Sequence, residues 1–158
     1  MHRLIRELAA YEESADQVAA TEDDLRAALF GPFAPGQPAA VFAHVAQAGG
    51  EVAGFALWFV NYSTWTGQHG IYLEDLYVTP ALRGTGTGRA LLAALARLCT
   101  ERGYARLDWA VLDWNTPALD FYVAMGARRL SDWVPHRLEG QALADLAALA
   151  PPAASQEG

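Results

Sequence analysis

The chain contains no lysine: all eleven basic residues are arginine, against eighteen Asp and Glu, for a formal net charge of −7 over 158 residues. Proteins that bind nucleic acid draw most of their affinity from neutralising phosphates, so this balance points away from DNA and RNA and toward cationic small molecules. A single cysteine, Cys99, excludes an internal disulfide and fits a reducing compartment. The four histidines show no paired spacing such as His-x-x-x-His, so no metal is expected. The longest apolar run, within Val52–Val60, is about nine residues and too short to span a bilayer. The opening segment MHRLIRELAAYEES turns acidic too soon for a secretory signal. These absences lead to the expectation of a cytoplasmic protein with no membrane and no nucleic-acid partner.

What is present suffices for a core. At 53% hydrophobic and 18% charged, the composition is that of a globular chain, and the length suits one domain over residues 1–150. The last residues, PPAASQEG, read as a frayed tail over 151–158. Leu4, Ile5, Leu8, Ala9 and Tyr11 fit one face of a helix. Thr21 with Asp24 three residues on predicts a capped helix Glu22–Phe30, stopped at Gly31-Pro32. Ala40–Gln47 and Glu51–Tyr62 read as a hairpin about Gly49-Gly50. Ile71–Thr79 is a further strand, and Leu91, Leu92, Leu95 and Leu98 stripe a helix from Gly88 to Arg102. Leu107–Leu112 reads as a strand, Pro117–Met125 as a helix, Ala127–Leu138 as one or two strands, and Leu143–Leu149 as a short helix. Alternating strands and helices after a hairpin predict an α/β (α+β) domain, a mixed sheet with helices on both faces.

The most informative segment is Arg83-Gly84-Thr85-Gly86-Thr87-Gly88, between a strand and a helix. Glycines at alternate positions allow successive N–H groups to turn toward one concavity, and the helix beyond adds its positive end. Arg83 and Arg89 add formal charge, and the whole suits a diphosphate. It is not a P-loop, since no Lys-Ser/Thr follows, and the third glycine comes one position early for the dinucleotide fingerprint.

The order strand, Arg-Gly-x-Gly-x-Gly, helix, strand, Asn, then a Tyr-bearing helix resembles the GNAT superfamily of acyl-CoA-dependent N-acetyltransferases. The family signature falls on Arg83, Gly86 and Gly88. LIRELAAYEESADQVAATEDDLRAALFG, YLEDLYVTPALRGTGTG and AVLDWNTPALDFYVAMGA resemble the diamine (spermidine/spermine) acetyltransferase branch over nearly the whole chain. The resemblance implies a mostly antiparallel sheet in which a splayed parallel strand pair binds acyl-CoA. It implies acetyl-CoA as co-substrate, a small amine as acceptor, and a homodimer. Residues 83–89 would hold the diphosphate. The backbone along Leu76, Tyr77 and Val78 would pair with the pantetheine, with the Leu76 N–H facing the oxyanion. Glu74 would take the amine proton, with Asp75 beside it, and Tyr122 would protonate the coenzyme sulfur. Asn115 would hydrogen-bond the pantetheine or support Tyr122, or cap the next helix. Trp65 would either pack on the amine's aliphatic chain or pack its own loop.

The chain departs from that pattern in three places. The family's first strand, which pairs with the strand matching Ala40–Gln47, is missing, and this would leave an unpaired edge. Ser63 stands where polyamine acetylases carry an acidic residue, and the loop from Trp65 to Glu74 is one residue longer. The acidic C-terminal segment is replaced by SDWVPHRL, which leaves Asp132 and Glu139 nearby. A long polycation wants several carboxylates along a groove; with fewer of them a short diamine, an amino-acid side-chain amine or an unrelated amine joins the polyamine as a candidate acceptor. A non-catalytic acyl-CoA sensor and a protein N-acetyltransferase are the two rival readings.

Overall fold

The computed structural model describes residues 1–151, which form two compact units, residues 1–121 and the chain from 122 onward. The first unit begins with helix α1 (His2–Tyr11), whose Leu4 is buried. A 3-10 turn at Ala15–Gln17 leads to helix α2 (Glu22–Phe30). The expected capping box is in place: Asp24 N–H donates to Thr21 Oγ1 at 3.2 Å, and Thr21 N–H donates back to Asp24 Oδ2 at 2.8 Å.

Strands β1 (Phe42–Ala48), β2 (Glu51–Ser63) and β3 (Gln68–Val78) form an antiparallel meander. Gly49 (φ 59°) and Gly50 (φ 85°) turn the first hairpin, where both central residues need positive φ. Helix α3 (Thr87–Glu101) then crosses over to β4 (Leu107–Trp109), which pairs parallel to β3. The sheet order is β1-β2-β3-β4, so β1 is an edge strand among the described residues. The mixed sheet is as expected.

The helices cover opposite faces. Gly54 and Phe55 are neighbours on β2 and so point to opposite sides. Phe55 packs with Leu4 of α1 and Tyr77 of β3, whereas a Cβ built on Gly54 would lie 3.5 Å from Leu91 of α3. The core on the α3 side is carried by Leu95, which is fully buried along with Ile71 and Leu73 of β3.

Two expectations need correction. β4 stops at Trp109 instead of Leu112, because the ladder with β3 ends at Leu73↔Trp109 and β3 bulges at the next residue. No strand forms between residues 127 and 138 among the described residues. Gly126 (φ 86°) ends the preceding helix, and Pro135, which lacks an N–H, interrupts the segment's alternation. That helix, α4 (Thr116–Ala124), starts one residue before Pro117, and a last helix, α5, spans Gly140–Ala147. Residues 152–158, most of the expected tail, lie outside the described residues.

Candidate active site

The site is organised by one irregularity in β3. The β2–β3 register runs Leu57↔Asp75, then Trp58↔Leu73, so Glu74 has no partner and forms a bulge. Before the bulge, the Ile71 N–H faces β4, donating to the Arg106 carbonyl at 3.0 Å. One extra residue shifts the alternation, so Leu76 and Val78 turn their backbone groups to that same side. Two hydrogen bonds agree. The Thr79 N–H faces the other way, to the Ala53 carbonyl, and the Val78 carbonyl takes a hydrogen bond from outside the sheet, Arg83 Nε at 3.1 Å. β4 has ended by this point, so the Leu76–Val78 edge is open to an added strand-like ligand. The buried Tyr77 ring points instead into the α1 core.

The loop after β3 keeps the form expected of an anion nest. Gly84 (φ 76°) and Gly86 (φ 91°) are left-handed, and a Cβ built on either would meet nothing within 4 Å, so the concavity is clear. Gly86 immediately precedes α3, whose first turn has no side-chain cap. The exposed N–H groups and helix dipole suit a diphosphate. Thr85 and Thr87 are joined through their hydroxyls at 2.9 Å, and Arg89 is exposed in the first turn of α3. The third glycine is not required by space: a Cβ on Gly88 would lie 3.7 Å from Phe121 and 3.8 Å from Val78, at ordinary contact distance.

Arg83 does not point into the nest. Its guanidinium lies 5.0 Å from the Tyr11 ring centroid and 5.5 Å from that of Tyr77. The Tyr77 hydroxyl donates to Glu7 Oε2 at 3.1 Å, and Glu7 pairs with Arg3. The arginine therefore sits against α1, held by cation–π attraction.

Beside the bulge lies a group of carboxylates. Burial pushes Asp75 up to about 6, and the negative charges of Glu74 and then Glu12 add to the rise. Burial also raises Glu12, which caps the C-terminal end of α1. Glu74 is exposed. The adjacent Glu74 and Asp75 thus differ in environment, one wet and one half-buried. Glu12 is new. The sequence puts it directly after the apolar stripe of α1, with no local sign that α1 ends against β3. Asp75 and Glu12, whose ionisation is opposed by burial, lie with the exposed Glu74 carboxylate in a place where a cationic amine is welcome.

Asn115, 6% exposed, precedes α4. Its Oδ1 accepts from the Ala118 N–H at 3.3 Å, so it caps the helix, and it also accepts from the Tyr11 hydroxyl at 3.0 Å. Tyr122 lies on α4, half-buried, with its carbonyl closing the helix end through the Ala127 N–H. Trp65 lies at the tip of the β2–β3 hairpin and is 87% exposed. From Gln68 to Glu74 is six residues of β3, about 20 Å at ~3.3 Å each, so the hairpin does not bring Trp65 next to the carboxylates.

Residues 2–127 match the model of the acetyltransferase (GNAT) family. The chain is 43% identical over 160 residues to a thialysine N-epsilon-acetyltransferase of Bos taurus, covering 92% of this chain and 88% of that one. It is 34% identical over 150 residues to a spermidine/spermine N(1)-acetyltransferase-like protein of Homo sapiens, covering 92% of this chain and 21% of that one. Among solved structures, an integron cassette protein from the mobile metagenome of V. cholerae superposes with a TM-score of 0.74 at 29% identity, over 92% of this chain and 88% of that one.

Proposed function

The chain belongs to the GNAT family of acetyltransferases, and on that premise we propose that it transfers the acetyl group of acetyl-CoA to a primary amine of a small cationic acceptor, by direct attack with both substrates bound. The observation that carries this is the bulge at Glu74, which sets an open strand edge beside the carboxylates Glu12, Glu74 and Asp75. The relatives' names support an acceptor of the lysine-like amino-acid or diamine class.

The residues fit the coenzyme: the nest at Gly84–Gly86 with the α3 N-terminus for the diphosphate, and the free edge at Leu76–Val78 for the pantetheine amides. Arg83 and Arg89 flank the loop, with Thr85 and Thr87 between its glycines. Acetyl-CoA supplies an activated thioester carbonyl. Asp75 and Glu12 attract the ammonium form of the acceptor, and Glu74 accepts its proton, directly or through a water, to free the lone pair for attack. The Leu76 N–H stabilises the charge growing on the carbonyl oxygen. The Tyr122 hydroxyl gives its proton to the departing sulfur, with Asn115 holding the start of the same helix. The reading takes residues 1–150 as one domain working as a cytoplasmic homodimer. Exposed apolar side chains such as Trp133, Val134 and Leu146 support association, and sedimentation tests it.

The test is thiol release from acetyl-CoA against lysine-like amino acids, diamines, polyamines and peptides. Release should require an added amine, with small cations preferred over peptides. Tyr122→Phe should lower kcat by about 100-fold or more while leaving coenzyme affinity intact, and Glu74→Gln should lower the rate most where the amine is protonated. Tight coenzyme binding with no turnover on the whole panel would establish the sensor reading instead. Full activity in both variants would remove these residues from the mechanism.

A further inference from the structure

We propose that Tyr11 is a positioning residue that ties the phosphate loop to the helix carrying Tyr122. The inference rests on the acetyltransferase reading and adds a residue that acts through Arg83 and Asn115. Tyr11 ends α1 and makes two contacts far away in sequence. Its ring lies 5.0 Å from the Arg83 guanidinium at the start of the loop. Its hydroxyl donates to Asn115 Oδ1 at 3.0 Å, across 104 residues. The same oxygen accepts the Ala118 N–H, so the hydrogen bond ends on the atom that caps α4.

The surroundings hold the ring in this role. Trp114 tilts against it at 6.1 Å on the α4 side. One turn back on the same face of α1, Glu7 takes the Tyr77 hydroxyl, and Tyr77 supplies the second ring near Arg83. Arg83 is fixed further by its Nε donation to the Val78 carbonyl, on the open strand edge. One side chain thus links loop, strand edge and acid-bearing helix. The next residue, Glu12, joins the carboxylates.

The two contacts can be separated chemically. Tyr11→Phe keeps the ring for Arg83 and deletes the donor to Asn115. Tyr11→Leu deletes both. The readouts are kcat, the affinity for CoA alone by calorimetry, and the melting temperature. For Tyr11→Phe, kcat should fall about 3–10-fold, the loss expected of one hydrogen bond, with CoA affinity within about 2-fold of wild type. Tyr11→Leu should show the same fall in kcat and bind CoA about 3–5-fold more weakly, the loss of a partly exposed cation–π contact. A tyrosine that merely stabilises the fold would lower the melting temperature and change both parameters together in both variants. Wild-type kcat in Tyr11→Phe, or wild-type CoA affinity in Tyr11→Leu, overturns the proposal; should Tyr11→Leu not fold, Tyr11→Met takes its place. CoA affinity is read without any acceptor. A wild-type chain that binds CoA but acetylates nothing would defeat the transfer reading, and the affinity difference between variants would still decide this one.

Discussion

Replacing Asp75 with Asn should make the protein more stable and less active. Asp75 sits just past the bulge of β3, half-buried, with Glu74 beside it and Glu12 facing it from the end of α1. Burial and those two charges raise its pKa from 3.8 to about 6. The folded protein therefore binds this proton more tightly than the unfolded chain, and ionising Asp75 costs stability. The cost is absent well below pH 4, grows as pH rises through the interval from about 4 to 6, and is complete above it. A rise of about two units corresponds to about 3 kcal/mol at pH 8, and roughly half of that at pH 5. Asn keeps the shape without the charge. For a chain of this size the gain at pH 8 should appear as a rise in Tm of about 6–12 °C. Thermal and urea unfolding of both proteins at pH 5 and pH 8 test it. Amine turnover of the variant should fall, and the acid limb of wild-type kcat/KM near pH 6 should flatten. A variant no more stable than wild type at pH 8, or equally stabilised at both pH values, would refute the account of Asp75 as a strained carboxylate.

Gly86→Ala tests the nest: its Cβ would meet no atom, so the cost is the left-handed backbone alone, about 1–2 kcal/mol, and calorimetry should find CoA binding at least 10-fold weaker. Gly70→Ala tests close packing at the β3–β4 pairing, since its Cβ would lie 2.5 Å from Asn61 Oδ1 and 3.0 Å from the Arg106 carbonyl. It should lose about 1–3 kcal/mol in urea unfolding, and Gly84→Ala, with open space, should not lose more than its backbone strain.

Much of this protein follows from short-range rules. The capping box at Thr21–Asp24, the Gly49-Gly50 turn and the glycine loop before α3 each work through residues within a few positions of one another, so the sequence alone determines them. The carboxylates at 74 and 75 and the asparagine ahead of α4 are equally legible as residue types. What they do was decided by tertiary structure. The bulge at Glu74 depends on how β2 registers against β3, and that register chooses which N–H groups stay free and where β4 must stop. Arg83 is legible as charge beside the loop, but its place against the Tyr11 ring comes from the packing of α1. Glu12 joins Asp75 only because α1 packs on the Phe55 face of the sheet. The expected strands between 127 and 138 fail because a strand needs a paired neighbour, which hydrophobic alternation by itself cannot supply. Local backbone preferences act over a few bonds and can be read along the chain. Ligand edges, shared charges and cation–π contacts join residues dozens of positions apart, and exist only once the chain has folded.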